Sequence, residues 1–325
     1  MDQISKARWI LAGLIVLAYT IVFSLAWAAD LEIRNAGTAP QAIVLVAIIL
    51  GISSMMATRP RLRAALETSV FGLLLVIPIV AASYLAVSLN MPWADSDLQA
   101  MDQALGIDWV ALLSFVDSRK YLSAALNLAY ASFALQLFGL PLILASTGSI
   151  LRSYQMTIIY ATICFVSAVI SIWYPALGTY VIHHVDPSQL MHIDGNLGVV
   201  FLDELRSAHD NPHFVFDFTR AEGIITFPSV HAAIAVLCAW AAWRMGWLRY
   251  PVLILNVLMA ASAAIVANHY VVDVIAGMGV AGFSIALVLS VCGSGKMELR
   301  STAFRLPFPP SDRMRSSAEL PDSGT

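Results

Sequence analysis

The sequence predicts an all-α protein: a polytopic bundle of about eight membrane-spanning helices, with an extracytoplasmic interfacial helix pair and a cap loop. Three observations predict it. The 325 residues are 59% hydrophobic and only 12% charged, about half the charge of a soluble domain. Mean hydropathy is +0.77. Apolar runs long enough to cross a bilayer recur along the chain, separated by short polar breaks.

The runs are Trp9–Ala28, Ala42–Ala57, Val70–Leu89, Leu122–Ser146, Met156–Trp173, Ser229–Trp243, Pro251–Ala267 and Val271–Val291. Some lie near the short end of the roughly 17–25 residues a crossing helix uses. Ala26-Trp27-Ala28 looks like a signal-peptidase site, but the apolar run before it is long for a signal peptide, so the first helix reads as an uncleaved anchor. Asn90–Tyr121 has apolar residues at helical spacing and reads as the interfacial pair. Pro175–Phe227 has turn signals at Asp186-Pro187, Asp194-Gly195-Asn196 and Asn211-Pro212 yet keeps Leu, Val and Phe, so it reads as an ordered cap. Residues 1–293 form the membrane-embedded unit, with the chemistry in about 200–293. Residues 294–325, rich in Pro and Ser, form a disordered tail.

Charge orients the chain. With the N-terminus in the cytoplasm, one side holds Lys6, Arg8, Arg59, Arg61, Arg63, Arg152, Arg244, Arg249, Lys296, Arg300, Arg305, Arg313 and Arg315. The other keeps Arg34, Arg119, Lys120, Arg206 and Arg220. The positive-inside rule then puts both termini in the cytoplasm. All seven histidines and most carboxylates fall on the outer side. Cys164, Cys238 and Cys292 lie in or at the end of apolar runs and read as small core residues. Nothing suggests nucleic-acid binding.

Two segments carry chemistry: Phe227-Pro228-Ser229-Val230-His231, and Asn268-His269-Tyr270-Val271-Val272-Asp273. Ionisable residues are costly where a membrane span begins, so they are functional candidates there. A His and an Asp four residues apart share one helix face, which lets the carboxylate orient the imidazole. His231 and His269 are separated by one descending and one ascending helix of about 18 residues each, roughly 27 Å per leg. Two crossings return the chain to one surface, where the histidines can meet. Pro228 suits the first turn of a helix. The free N–H groups at that N-terminus, with Ser229, suit an anion such as phosphate, and Arg220 lies a few residues upstream.

These residues resemble the type-2 phosphatidic acid phosphatase superfamily, which carries Pro-Ser-Gly-His and Ser-Arg-x5-His-x3-Asp. Here the first appears as Pro228-Ser229-Val230-His231 and the second as His269 with Asp273. The family's arginine falls on Ala263, and its Lys-x6-Arg-Pro signature is absent. Phe-Pro-Ser-x-His, His-Tyr-x2-Asp and the stretch Asp102/Leu105-Gly106-x-Asp108-Trp109 resemble the inositol phosphorylceramide synthase branch and its bacterial relatives. The resemblance implies a lipid phosphatase or phosphotransferase in the bacterial inner membrane. Its site would face outward, acting on a lipid phosphate or phosphodiester without metal or cofactor. It assigns His269 as nucleophile, Asp273 as orienter and His231 as general acid and base. Ser229, Arg220, Asn268 and Tyr270 are the candidates for binding substrate.

Each residue also has a plainer reading. Asn268 can cap the next helix, Tyr270 can belong to an aromatic belt, and Arg220 can be an ion-pair partner. Gly277 and Gly279 can permit close helix packing. His183, His184, His192, His209 and His213 are spaced too irregularly for a metal site. Two other functions compete. One is a non-enzymatic bundle binding haem or metal through His231 and His269. The other is an anion transporter, against which the outer-surface clustering of ionisable residues counts.

Overall fold

The computed structural model describes residues 2–34 and 38–293; the predicted tail, 294–325, lies outside them. Thirteen helices and two short strands are formed among the described residues. The first long helix, α1, covers Gln3–Ala28, and Asp2 caps it by accepting from the Ser5 N–H. Strand β1 (Glu32–Arg34) follows, then α2 (Thr38–Met55) and α3 (Pro60–Val87). Pro60 stands at the start of α3, where its missing N–H costs nothing. Two short helices, α4 (Asp95–Ala104) and α5 (Trp109–Asp117), precede α6 (Lys120–Ala131), α7 (Phe133–Ser146) and α8 (Ile150–Ser171). The cap carries α9 (Thr179–Ile182), α10 (Leu202–Asp210) and strand β2 (Val215–Asp217). The chain then completes the bundle with α11 (Val230–Ala242), α12 (Arg249–Ile265) and α13 (Val271–Cys292).

Five helices are long and apolar enough to cross a membrane, six if α6 and α7, bent by 54°, count as one span. The apolar part of α2, Ile43–Met55, and α11 are shorter. Large apolar side chains such as Leu17, Ile21, Leu135, Ile254 and Phe283 stay exposed along the helices. A soluble protein would bury such surface; the chain is an integral membrane protein.

Helix α8 is the axis of the bundle and packs on α1, α3, α7, α11 and α13. Several polar groups inside are paired, since each unpaired one costs several kcal/mol in hydrocarbon. Asn256 of α12 donates to Gln136 of α7 at 2.7 Å, and Gln136 donates to Ser132 at 2.8 Å. At the arginine-rich end, the Arg8 Nε donates to both oxygens of Glu67 at 2.8 and 3.0 Å. Tyr154 of α8 donates to the same carboxylate at 2.6 Å, as does Ser53 of α2. One buried acid thereby ties α1, α2, α3 and α8. The three cysteines are buried and free, as the sequence implies.

The strands were not foreseen. β1 and β2 pair in parallel, Ile33 opposite Phe216, and an Arg34–Asp217 ion pair at 3.0 Å closes the end. Three residues each are too few to leave a periodic signal. Phe214 and Phe216 pack on the buried Tyr84 ring of α3, with centroids 5.6 and 4.6 Å away, and so seat the cap on the bundle.

Truncating Glu67 strands a buried guanidinium. Glu67→Ala is expected to destabilise by about 3–5 kcal/mol, and Tyr154→Phe by about 1 kcal/mol. Unfolding curves of the detergent-solubilised protein check both.

Candidate active site

The site forms where α11 and α13 begin. Ser229 is the N-cap of α11, and its hydroxyl accepts from the Ala232 N–H at 3.4 Å. Pro228 therefore stands one residue outside the helix, not in its first turn. The Ser229 N–H donates to the Asp273 carbonyl at 3.0 Å. A Cβ at Gly277 would lie 2.1 Å from the Ser229 carbonyl oxygen, so only glycine lets the two helices approach this closely. Gly279 meets nothing within 4 Å, so only Gly277 has the packing role the sequence suggested for both.

His269 and Asp273 do not share a helix face as the spacing suggested. His269 lies in the turn before α13, and Asp273 is in the helix's first turn. The contact forms because Asn268 adopts φ +65° and turns the chain back. The His269 N–H donates to the Ala263 carbonyl at 3.3 Å, and Ala263 is fully buried where the family pattern has arginine. Asp273 Oδ2 lies 3.3 Å from His269 Nδ1 and accepts from the Tyr270 N–H at 2.9 Å. An ionised carboxylate only accepts, so when Asp273 is ionised the shared proton sits on Nδ1, and Nε2 has no hydrogen-bond partner among the described residues.

His231 stands on the first turn of α11, and the two imidazoles lie within electrostatic reach of each other. Tyr130 stacks on the His231 ring with centroids 4.4 Å apart and planes at 19°; Phe133 packs tilted against it, also at 4.4 Å. These rings flank Ser132, where α6 ends and α7 begins. The Ser132 hydroxyl donates back to the Ala129 carbonyl at 2.6 Å, a bond that competes with the helix ladder. The bend thus presents an aromatic wall to His231. Sequence reasoning missed Tyr130 and Phe133, because inside an apolar run they look like core.

The other candidates separate. Ser229 is buried as a cap. Asn268 is fully buried; its amide accepts from the Tyr180 N–H and donates to the Leu177 carbonyl at 2.9 Å, pinning the His269 turn to the cap. The Tyr270 hydroxyl donates to Asp95 at 3.0 Å, and the residue is buried, not part of a belt. Arg220 is exposed on the turn after β2, with no side-chain hydrogen bond or ion pair among the described residues. It lies two residues from Glu222, which is within electrostatic reach of Tyr130.

The acids of α4 and α5 also depart from expectation. Asp95, Asp102 and Asp117 point inward and are buried. Asp117 accepts from the N–H groups of Met191, His192 and Ile193 at 2.8–3.0 Å. Burial raises its proton affinity, but the three N–H donors outweigh that and hold the carboxyl below its ordinary value. Of the loop histidines, His192 bonds the Asp117 carbonyl at 2.7 Å, and His209 stacks on Trp93 with centroids 3.8 Å apart. Both secure the cap. Among the described residues no group of three or more His, Cys, Asp or Glu is arranged to hold a metal ion.

The site thus holds one imidazole against a buried carboxylate, with a second imidazole within electrostatic reach. Residues 96–287 match the PAP2 superfamily. The chain belongs to that superfamily. No curated protein and no solved structure matches it. PAP2 membership supports phosphatase or phosphotransferase chemistry on lipid phosphates over the haem-binding and transport readings. The match starts in α4 and ends in α13, so it spans Tyr130, Phe133, Ser229, His231, His269 and Asp273, while Asp95 lies just before it.

A methyl group at Gly277 has only backbone to push against. Gly277→Ala is expected to cost about 1–3 kcal/mol of stability, while Gly279→Ala stays neutral. Paired thermal unfolding curves measure the difference.

Proposed function

We propose that the chain is a lipid phosphatase or phosphotransferase working through a phosphohistidine. The carrying observation is His269 with Nδ1 held by Asp273 and Nε2 free. In the first step the Nε2 lone pair attacks phosphorus. The bond from phosphorus to the lipid oxygen breaks, and His231 gives that oxygen a proton. In the second step water or an alcohol attacks the phosphohistidine, and His231 takes its proton. With water the outcome is hydrolysis; with a hydroxyl it is transfer.

Charge on the phosphoryl oxygens must be met without the family arginine, since position 263 is Ala. The N–H groups of Val230 and His231, in the first turn of α11, have no main-chain partner among the described residues and suit this role. Arg220, two residues from Glu222, is the candidate cation. Ser229, Asn268 and Tyr270 act through the backbone they hold. The Phe-Pro-Ser-x-His and His-Tyr-x2-Asp patterns favour an inositol phosphorylceramide synthase-like transferase within the superfamily.

Counting α2, α11 and the bent α6–α7 pair as crossings gives eight spans, with α4 and α5 at the outer interface. The arginine excess at the end opposite the histidines supports a reading with both termini in the cytoplasm and the site outside, and the family resemblance supports the bacterial inner membrane as the setting.

The test is phosphate release from dioctanoyl phosphatidate and lipid pyrophosphates in detergent with a chelator, repeated with inositol and with ceramide as acceptors. Wild type should release or transfer phosphate, and His269→Ala should lose about 10³-fold or more of that rate. Quenching in alkaline detergent should trap a base-stable, acid-labile phosphoprotein in wild type but not in the variant. Full activity in His269→Ala sinks the mechanism; inactivity of folded wild type with every donor and acceptor sinks the enzyme reading.

A further inference from the structure

We infer that Asp102 is a positioning residue for His269, acting with Asp95 from the same helix. The inference rests on the phosphohistidine reading and adds what holds the nucleophile in place.

Asp95 and Asp102 are seven residues apart, two turns of α4, and a helix drifts only about 20° over that distance. They therefore share a face, and Leu98 lies between them on it. All three are buried, whereas Asp97 on another face of α4 is exposed. Burying two carboxylates is costly unless each finds donors. Asp95 accepts from the N–H groups of Leu177 and Gly178 at 2.9 and 2.8 Å and from the Tyr270 hydroxyl at 3.0 Å. Asp102 accepts from the N–H groups of Val271 and Val272, both at 2.9 Å.

What they grip is the turn that carries His269. Val271 and Val272 open α13, and their N–H groups have no partner within the helix. A local acid usually serves such donors. Here the local acid, Asp273, turns Oδ2 to His269 and to the Tyr270 N–H, and its buried Oδ1 meets no donor among the described residues. Asp102 supplies the missing acceptor from a different helix, which leaves Asp273 to the imidazole. On the other side of the turn, the Trp109 indole donates to the Ala264 carbonyl at 2.8 Å. The turn from Ala264 to Val272, with its left-handed residue Asn268, is thus braced at both ends by one segment, Asp95–Trp109. The N–H groups that Asp102 braces lie two and three residues from His269 and touch no reacting atom, so Asp102 governs where Nε2 stands.

The experiment compares Asp102→Ala with Asp97→Ala on the same helix, using dioctanoyl phosphatidate and, beside them, wild type and His269→Ala. Each is assayed at a temperature where its unfolding curve shows it folded. A misplaced nucleophile lowers turnover and leaves binding alone. Asp102→Ala should therefore lose about 10²-fold in kcat, with KM within about twofold, while Asp97→Ala matches wild type. Wild-type kcat in Asp102→Ala overturns the inference. So does a raised KM at unchanged kcat, or a kcat loss no greater than the loss of folded protein. If Asp102→Ala does not fold, Tyr270→Phe decides, because it removes only the hydroxyl taken by Asp95. It should lose about fivefold or more in kcat at constant KM, and unchanged kcat there overturns the inference. An inactive His269→Ala beside a fully active Asp102→Ala defeats the positioning role alone; an active His269→Ala defeats the phosphohistidine reading and this inference with it.

Discussion

The close approach of α11 to α13 is the constraint on which the active site depends. The Ser229 carbonyl sits where a side chain at position 277 would be, and the Ser229 N–H is bonded to the carbonyl of Asp273 one turn earlier on α13. Two contacts a turn apart fix both the separation and the register of the helices. His231 follows two residues after one contact, and His269 precedes the other by four. The imidazoles come from opposite ends of a helical hairpin, yet this junction holds them at one end of the bundle. The short α11 is a consequence of the same junction: it begins where it is pinned, and the segment before it is taken up by the cap.

The second organising theme is the fate of unpaired main-chain donors. Helix starts and sharp turns leave N–H groups without partners. In this chain buried aspartates meet many of them: Asp95 at residues 177 and 178, Asp102 at 271 and 272, Asp117 at 191–193, and Asp273 at 270. These acids are the internal fastening of the cap. The start of α13 is consequently filled with protein carboxylate, and the start of α11 is the one of the pair with main-chain donors to spare.

Much of the bundle was legible because its signal is dense. A span repeats the same apolar statement for about 20 residues, so α12 and α13 lie within two residues of their predicted limits, while α1, α3 and α8 begin six, ten and six residues before theirs, where polar residues open the helix. The pairing of His231 with His269 was legible from parity, since two crossings return to one face. What escaped were features that depend on single contacts. The Asp-x6-Asp spacing on α4 was present in the sequence, but solvent and main-chain N–H groups satisfy an acid equally well, and periodicity does not tell them apart. Tyr130 and Phe133 were hidden for the converse reason: their rings fit an apolar run whether they face lipid, core or an imidazole. The His269 turn was misassigned to a helix because four-residue spacing is the helical spacing, and the left-handed Asn268 makes the same contact without one.

The buried Glu67 bears on modularity. Its carboxylate holds Arg8 and Ser53, which precede the region shared with the superfamily, and Tyr154, which lies inside it. The boundary of common descent at residue 96 is therefore not a seam in the molecule. A fragment cut there would leave the Tyr154 hydroxyl without its acceptor and uncover the face of α8 on which α1 and α3 pack. The N-terminal helices are electrostatically part of the matched region: the match begins at residue 96, and the Glu67 cluster runs across that edge.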